Sequence, residues 1–245
     1  MKRYLGPTIL SDLNKKMVFV SGPRQVGKTT LARSLSIKSS DYLNWDVAAD
    51  RERILKRQFN LDSELVIFDE IHKYKSWRNY LKGVYDSRDR HLKKILVTGS
   101  AMLDYYRRGG DSLQGRYFHL RLHPFSVAEL GLNSVEEALQ LFDLGGFPEP
   151  YLSASKREAQ RWMIQYNELI FREEVMHLER VQDVGNLELL FHRLPELVGS
   201  PLSINSLRED LQLAHGTVSK WLLIFERLYV IFRILPFVNS KLRSV

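Results

Sequence analysis

Cysteine is missing from the 245-residue sequence. Its absence excludes disulfide bonds, cysteine-ligated zinc, iron–sulfur clusters and catalysis by a thiol. A chain that needs no disulfide suits a reducing compartment. We therefore expect a cytoplasmic location.

The sequence also lacks a segment suited to crossing a membrane. Its first ten residues, MKRYLGPTIL, have neither the sustained apolar core nor the small-residue cleavage site of a signal peptide. The most apolar later run, WLLIFERLYVIFRILPFV, is interrupted by Glu226, Arg227 and Arg233, which a helix tolerates poorly at the bilayer centre. We expect no membrane association and interpret this run as a buried helix followed by a strand.

The composition is that of a globular protein with unevenly distributed charge. Hydrophobic residues make up 44% and charged residues 27% of the chain, as in ordinary folded domains. Residues 1–131 contain 24 lysines and arginines against 14 acidic residues, whereas residues 132–245 contain 12 against 15. The basic excess lies in the first half, which therefore favours an anionic partner.

Short β-rich runs alternate with helical patterns from about residue 17 to residue 122. Three of the runs are almost continuously apolar, as in strands that are buried on both faces of a parallel sheet. The alternation predicts an open α/β fold. The predicted strands are MVFVS (17–21), DYLNW (41–45), LVIFD (65–69), KILVT (94–98) and YFHLRL (117–122).

The pattern becomes helical from about residue 134 onward. Near the end, INSLREDLQ, LAHG, TVSKWLLIFERLY and VIFRILPF have the lengths of the helix, turn, helix and strand of a winged helix-turn-helix unit. We predict a P-loop domain over residues 1–130, a helical lid or linker over residues 131–195 and a winged-helix-like domain over residues 196–245.

The segment GPRQVGKTT fits the phosphate-loop pattern G-x-x-x-x-G-K-[ST], and it lies between the first strand and a helical segment. The glycines allow backbone N–H groups to face phosphate, next to the positive N-terminus of the helix. Lys28 is predicted to reach the β- and γ-phosphates, and the Thr29 hydroxyl to bind Mg²⁺. The predicted ATP contacts are Gly22, Pro23, Arg24, Gln25, Val26, Gly27, Lys28, Thr29 and Thr30.

Two carboxylates end the third predicted strand, in LVIFDEIH. Asp69 is the candidate for holding the magnesium hydration sphere, and Glu70 for orienting or deprotonating the attacking water. A solvated turn carboxylate is the alternative for Glu70. The letters D-E-x-H also suit a helicase, but such motors need a second RecA-like domain, and the residues after 122 are predicted to be helical. His72 is therefore interpreted as incidental.

Polar residues also flank the last two predicted strands. The fourth strand ends in LVTGS, where Thr98 or Ser100 is a candidate contact for the γ-phosphate or the water. A tight turn without a ligand role is the alternative. Arg107, Arg108 and Arg116 are candidate arginine fingers, in the same chain or across a subunit interface, and Arg116 is preferred. An arginine that is merely solvated is the alternative.

Five segments occur together in a characteristic order: GPRQVGKTTL, LVIFDEIHKYKSW, LVTGSA, SLQGRYFHLRLHPFS and GGFPEP. Over nearly its whole length the sequence thereby resembles the bacterial and archaeal AAA-type ATPases that carry a C-terminal domain of unknown function. The resemblance implies ATP binding and hydrolysis on an additional-strand sheet, with Lys28 and Thr29 in the phosphate loop and Asp69 and Glu70 as the Walker B pair. Such proteins usually continue with a further domain, whereas this sequence ends at NSKLRSV.

The segment GGFPEP is similar to the Gly-x-Pro motif of related signalling ATPases. On that analogy Pro148 approaches the nucleotide, distinguishes ADP from ATP and transmits the state to the C-terminal half. The alternative is a plain turn, in which Gly145 and Gly146 supply positive φ and Pro148 fixes the exit.

Nucleic-acid binding is suggested by two segments and required by neither. Residues 73–94 hold eight lysines and arginines with interleaved aromatic residues, which suits a nucleic-acid groove. Charged helix faces over buried aromatics have the same composition, and we favour that interpretation. In the candidate recognition helix of the predicted winged unit, Lys220 and Arg227 are few cations for a phosphate-binding surface, so a protein-packing role is at least as consistent as DNA binding.

Two hypotheses follow from the sequence. The first is a Mg²⁺-dependent ATPase whose cycle moves the helical and winged-helix parts. The second is a nucleotide-gated module that binds DNA or a protein with little turnover. Both predict ATP, ADP and Mg²⁺ as ligands, and neither specifies an oligomeric state.

Overall fold

The computed structural model describes residues 2–35, 37, 39–60, 62–87, 94–101, 103, 113–171 and 183–235. Contacts within the chain divide it into two compact units, Met1–Asn167 and Glu168–Val245. Each unit has buried apolar residues of its own. The finer boundaries predicted for three regions stay predictions.

The first unit alternates strands and helices. Its strands are β1 (Met17–Ser21), β2 (Ser40–Asn44), β3 (Leu65–Asp69), β4 (Lys94–Thr98) and β5 (Tyr117–Arg121). Each predicted strand is confirmed to within one residue at either end. The helices are α1 (Gly6–Asp12), α2 (Lys28–Ser34), α3 (Ala48–Leu55), α4 (Trp77–Asp86), α5 (Val127–Leu130), α6 (Val135–Leu144), α7 (Pro148–Ser153) and α8 (Lys156–Leu169), with a 3-10 turn at Ile71–Lys73.

The five strands form one parallel sheet in the order β2-β3-β4-β1-β5. Strand β4 lies between β1, which precedes the predicted phosphate loop, and β3, which carries Asp69. This is the additional strand that the family resemblance implies, and the architecture is that of a P-loop NTPase. Because all strands run the same way, their carboxyl ends meet at one edge of the sheet, where ligands bind in open α/β folds.

Burial explains why the strands read as apolar runs. Every residue of β1 and β3 is buried, because helices cover both faces of the sheet. One face packs a layer that includes Phe68, Leu81 and Val97, and the other packs a layer that includes Ile9 and Leu31. A fully buried side chain of this size contributes roughly 1.5–3 kcal/mol. The two layers therefore fix the strand ends that carry the polar residues.

The second unit is helical in its described part. It contains α9 (Val184–Arg193), a 3-10 turn (Leu194–Leu197), α10 (Ile204–Asp210) and α11 (His215–Arg227). The rings of Phe171, Phe191 and Phe225 pack edge to face, with centroids 4.7–6.3 Å apart. These aromatic contacts form part of its core.

The predicted winged helix is not confirmed. Helices α10 and α11 provide the helix-turn-helix, but no strand follows α11 within the described residues up to 235. Phe232 is 84% exposed, and Ile234 and Leu235 are also exposed. The run VIFRILPF has strand propensity, yet propensity without a partner strand does not make a sheet. None of the described helices is long and apolar enough to cross a membrane.

Candidate functional site

The predicted phosphate loop joins β1 to α2 at the carboxyl edge of the sheet. A Cβ atom on Gly22 would lie 2.3 Å from the carbonyl oxygen of Leu122, so only glycine fits there. Gly27, which directly precedes α2, has a φ of +92°, a conformation that glycine adopts without strain. All nine predicted ATP contacts lie in this loop and the first turn of α2. The segment that fits the phosphate-loop pattern thus has a tightly curved backbone.

The side chain of Lys28 lies against its own loop. Lys28 is buried, and its Nζ donates hydrogen bonds to the carbonyl oxygens of Gly22, at 3.0 Å, and Pro23, at 2.5 Å. The carbonyls hold the ammonium group over the curved backbone without neutralising its charge. A phosphate group suits this position, since ammonium groups and backbone N–H groups both stabilise phosphate.

Asp69 is the centre of a hydroxyl network. Its carboxylate is 2% exposed and accepts three hydrogen bonds. Thr98 donates to Oδ1 at 2.6 Å, while Thr29 and Tyr42 donate to Oδ2 at 2.7 and 2.6 Å. The structure therefore brings together Thr29 and Asp69, the two predicted magnesium residues. Hydrogen bonds to an ionised carboxylate are strong, so the network fixes the orientation of Asp69.

Sequence reasoning missed Tyr42. It is an ordinary strand tyrosine in DYLNW, and only the pairing of β2 with β3 brings its hydroxyl to Asp69. The guanidinium of Arg33 lies over its ring, 4.0 Å from the centroid. Burial and the hydrogen bond to Asp69 raise the pKa of Tyr42 to about 12, so its hydroxyl keeps its proton and stays a donor.

Glu70 lies directly beside this network and has a different environment. Its backbone has a φ of +58°, and its Oε2 lies 3.5 Å from Nε2 of His72 and 3.8 Å from Nζ of Lys73. Lys73 also pairs with Asp46 at 2.5 Å. Burial raises the pKa of Glu70 to about 7, although Lys73 opposes the shift. A carboxyl group with a pKa near neutrality can exchange a proton with water at physiological pH.

His72, which the sequence predicts to be incidental, lies in the turn after Glu70. It is buried, and its ring packs so closely on the β4 turn that a Cβ atom on Gly99 would lie 2.6 Å from Nδ1. Among the described residues, Nδ1 has no hydrogen-bond partner. Burial lowers the pKa of His72 to about 4, so the ring beside Glu70 is neutral at pH 7. The uncharged imidazole ring of His72 thus lies between Glu70 and the turn after β4.

Ser100 lies in the same turn. It is buried just after β4, where the amide of Gly99 donates to the carbonyl oxygen of Val20 at 3.3 Å. The turn therefore lies beside the end of β1, where the predicted phosphate loop begins. This location is compatible with the predicted γ-phosphate contact, which stays a prediction.

Pro148 lies beside the phosphate loop. It is the first residue of α7, and its Cγ would be 3.7 Å from a Cβ atom on Gly27. Gly145 has the positive φ expected of a turn, at +77°, whereas Gly146 does not. Glycine is needed at 146 for another reason, because a Cβ atom there would lie 2.6 Å from the carbonyl oxygen of Phe125.

Arg116 is not brought to this site. It precedes β5 at the amino edge of the sheet, and its guanidinium makes two hydrogen bonds to Asp86, at 2.8 and 3.0 Å. Its neighbour Tyr117 pairs with Met17, four residues before the end of β1. At about 3.3 Å per residue, Arg116 lies more than about 13 Å from the loop. In this structure Arg116 pairs with Asp86 and not with the loop. The predicted finger, in the same chain or across a subunit interface, stays a prediction.

Two further sequence interpretations can be compared with the structure. Arg107 and Arg108 lie outside the described residues.

In the described part of the basic segment, Trp77 and Tyr80 are buried in the core and Tyr74 and Tyr85 pack against it. These aromatics belong to the core or pack against it, as in charged helix faces over buried aromatics; a nucleic-acid role of residues 73–87 stays untested. In the part of the chain that the structure describes, no cluster of three or more histidine or acidic side chains could hold a metal.

Comparison with known families assigns both halves of the chain. Residues 14–131 match the family described as an AAA domain. Residues 136–245 match a family described as a domain of unknown function. The chain joins an AAA domain to a domain of unknown function. The AAA domain contains all the predicted nucleotide contacts except Pro148, which the second family includes.

Relatives of this AAA protein include two uncharacterized mycobacterial proteins. One is from Mycobacterium bovis and the other from Mycobacterium tuberculosis, and each is 25% identical over 210 residues. The alignment covers 84% of this chain and 46% of each relative. The chain thus spans about half the length of these relatives.

Several solved structures are similar to the AAA protein. A variant of RuvB from Thermotoga maritima has 18% identity and a TM-score of 0.39, covering 89% of this chain and 86% of that one. An Aeropyrum pernix ORC1 protein in complex with DNA has 14% identity and a TM-score of 0.40, covering 94% and 85%. AMPPCP-bound DnaA from Aquifex aeolicus has 13% identity and a TM-score of 0.41, covering 91% and 86%. The family assignment rests on the two family matches and not on these similarities.

Proposed function

We propose that the AAA domain binds ATP with Mg²⁺ and hydrolyses it. The observation that carries the proposal is the 2.7 Å hydrogen bond from Thr29 to Asp69, with Glu70 as the next residue. It joins the helix after the phosphate loop to the end of β3. Residues suited to phosphate binding, metal binding and proton transfer thereby share one edge of the sheet.

Each of these residues has a separate role in the proposal. Lys28 and the backbone of the loop bind the β- and γ-phosphates, and Thr29 and Asp69 hold the cation. Bound Mg²⁺ neutralises charge that develops on the phosphates. Thr98 keeps Asp69 oriented, since its hydroxyl is already donated to Oδ1. The described residues offer oxygen ligands, which suit magnesium.

Glu70 is the proposed base. It accepts a proton from the attacking water, whose oxygen forms the new bond to the γ-phosphorus as the bond to ADP breaks. The burial that raises its pKa to about 7 strengthens it as a base. Neutral His72 on one side limits the positive charge that would otherwise lower that pKa.

The position of Pro148 beside Gly27 supports a coupled motion. Nucleotide that settles into the loop would press on Pro148 and on helix α7 behind it. We propose that the AAA domain passes its nucleotide state to the helical segments in this way. A DNA or protein partner would read that state, and its class is left to experiment.

The test compares Glu70→Gln with wild type. We expect the variant to bind ATP with Mg²⁺ and to lose phosphate release by about two orders of magnitude or more, since a positioned base typically contributes 10²–10⁴-fold. Glu52→Gln, an exposed glutamate on α3, is the matched control and should keep full turnover. Retained turnover in Glu70→Gln would remove Glu70 from its proposed role.

The same measurements separate hydrolysis from the nucleotide-gated alternative, which the position of Pro148 also supports. A gated module would bind ATP tightly in wild type and release negligible phosphate, with and without DNA. Its affinity for DNA or a protein would then differ between ATP and ADP. Wild type that binds no nucleotide would contradict both functions.

A further inference from the structure

The N-terminal segment places a buried arginine against the predicted phosphate loop. The guanidinium of Arg3 donates to the carbonyl oxygens of Val26, at 2.7 Å, and His123, at 2.6 Å. It also pairs with both carboxylate oxygens of Glu129, at 2.7 and 3.2 Å. The Arg3 and Glu129 side chains are 6% and 2% exposed. Arg3 therefore joins three segments that are far apart in sequence.

The surroundings of this ion pair are equally specific. The ring of Phe125 lies 4.6 Å from the Arg3 guanidinium carbon, within reach of a cation–π interaction. Glu129 also accepts the backbone N–H of Tyr4 at 3.0 Å. Its position on α5 is set by Ser126, which caps the helix by accepting from the Glu129 amide. A buried ion pair is costly to desolvate unless its hydrogen bonds are satisfied, and here they are.

The phosphate loop lies between Arg3 and Pro148. A Cβ atom on Gly27 would lie 3.5 Å from Nη1 of Arg3 and 3.7 Å from Cγ of Pro148, so both side chains flank this residue. The amide of Phe125, next to Arg3, donates to the carbonyl oxygen of Gly146 at 2.6 Å. Contacts thus run from the loop through Arg3 to residues 123–129, and from there to the segment that carries Pro148.

Arg3 is already neutralised by Glu129, which argues against a role as a phosphate ligand. Its two remaining bonds go to backbone carbonyls, whose positions define the path of the chain. The forked guanidinium is suited to this, because its donors have a fixed planar geometry that lysine lacks.

We propose that Arg3 is a positioning residue that locks the phosphate loop to residues 123–151, so that nucleotide binding in the loop changes the conformational stability of that segment. The inference rests on the proposed nucleotide binding. The loop cannot adjust at Val26 and Gly27 without moving the guanidinium, and the guanidinium cannot move without disturbing Glu129 and His123. Through Arg3, the conformational stability of residues 123–151 therefore depends on nucleotide binding in the phosphate loop.

The test is hydrogen exchange of the full chain, with and without saturating AMPPCP and Mg²⁺. Wild type should show slower exchange both in residues 22–30 and in residues 123–151 when nucleotide is bound. The double variant Arg3→Gln with Glu129→Gln removes both charges together, so that neither is left buried and unpaired. It should keep protection of residues 22–30, lose most of the change in residues 123–151, and bind nucleotide about tenfold more weakly.

A second ion pair of the same unit serves as the matched control. Arg53 and Asp41 pair at 2.8 Å, with Asp41 almost fully buried, away from the phosphate loop. Arg53→Gln with Asp41→Asn should leave the nucleotide response of residues 123–151 as in wild type. Arg3→Lys keeps the positive charge but not the forked geometry, and it should lose the nucleotide response of residues 123–151 as the Arg3→Gln/Glu129→Gln double variant does. If the double variant does not fold, Arg3→Lys is tested in its place.

The outcomes are distinguishable. Wild type that does not bind AMPPCP contradicts the proposed function. Wild type that binds it without any change in residues 123–151 contradicts only the inference. Equal protection of residues 123–151 in wild type and in the Arg3 variants at saturating nucleotide also overturns it.

Discussion

The two edges of the parallel sheet hold their charged side chains in opposite ways. At the carboxyl edge, Asp69 is buried and bonded to three hydroxyl groups, and Lys28 is buried and bonded to two carbonyls. At the amino edge, Arg116 and Asp86 are partly exposed and pair with each other. The difference lies in the groups around each charge: neutral hydroxyl and carbonyl groups bond Asp69 and Lys28, whereas Arg116 is bonded to an opposite charge.

Removing the Lys28 side chain should have the largest effect on the difference between the two edges. We expect Lys28→Ala to weaken binding of a fluorescent ATP analogue by about 100-fold or more, because the ammonium group is the proposed contact to two phosphates. Arg116→Ala, the control at the other edge, should change the dissociation constant less than about twofold. Comparable losses in both variants would contradict the assignment of the site to the carboxyl edge.

The ionisation of Glu70 should make stability depend on pH. Its pKa is about 7 in the folded chain, against an ordinary value of 4.5, so the folded state holds the extra proton between those values. The contribution of Glu70 to the free energy of unfolding should therefore fall as pH rises from about 4.5 to 7 and then level off. Glu70→Gln lacks this group and should be more stable than wild type at pH 8, by up to about 3 kcal/mol.

Chemical unfolding at pH 4.5 and pH 8 measures this effect. The advantage of the variant should be near zero at the lower pH and full at the higher one. An advantage that does not change with pH would show that Glu70 is not held in a desolvated environment.

Removing one hydroxyl of the Asp69 network should have a moderate effect. Tyr42→Phe deletes a donor to an ionised carboxylate, an interaction of about 1.5–3 kcal/mol. We expect the Mg²⁺ concentration for half-maximal nucleotide binding to rise about tenfold, with little change in binding without Mg²⁺. Tyr85→Phe, which lies on α4 away from Asp69, is the control. An unchanged Mg²⁺ dependence in Tyr42→Phe would limit Tyr42 to packing.

The amino edge should show the smallest effect. Exposed ion pairs contribute little to stability, so Arg116→Ala and Asp86→Ala should each leave the denaturant midpoint of unfolding almost unchanged. A double-mutant cycle measured by denaturant unfolding checks their coupling. Strong coupling between the two residues would mean that the two edges differ less than their exposure indicates.

The extent to which sequence predicts this molecule depends on how local each signal is. Strands β1 and β3 were predictable because burial on both faces leaves a continuous apolar run. The turn between β1 and α2, which carries the predicted phosphate loop, was predictable because its glycines, lysine and threonine are contiguous. Asp69 could be placed at the end of β3 because it ends such a run.

The contacts of Tyr42 and Arg3 were not predictable in the same way. Tyr42 lies 27 residues from Asp69, and Arg3 lies 126 residues from Glu129. No periodicity links residues so far apart, and only the strand order brings them together. The strand predicted for the run VIFRILPF is an opposite case. Its local strand propensity is strong, but no partner strand is present among the described residues, and the strand is not confirmed.

The hydrogen bond of Thr29 has a consequence for the orientation of its hydroxyl group. A hydroxyl group carries one proton and two lone pairs, and Asp69 already takes the proton at 2.7 Å. The lone pairs therefore point away from the hydrogen bond to Asp69. Serine at this position would preserve the hydroxyl group, while valine would lose it. One oxygen atom thus anchors the helix to the sheet and, in the proposed function, would also be a ligand of the cation.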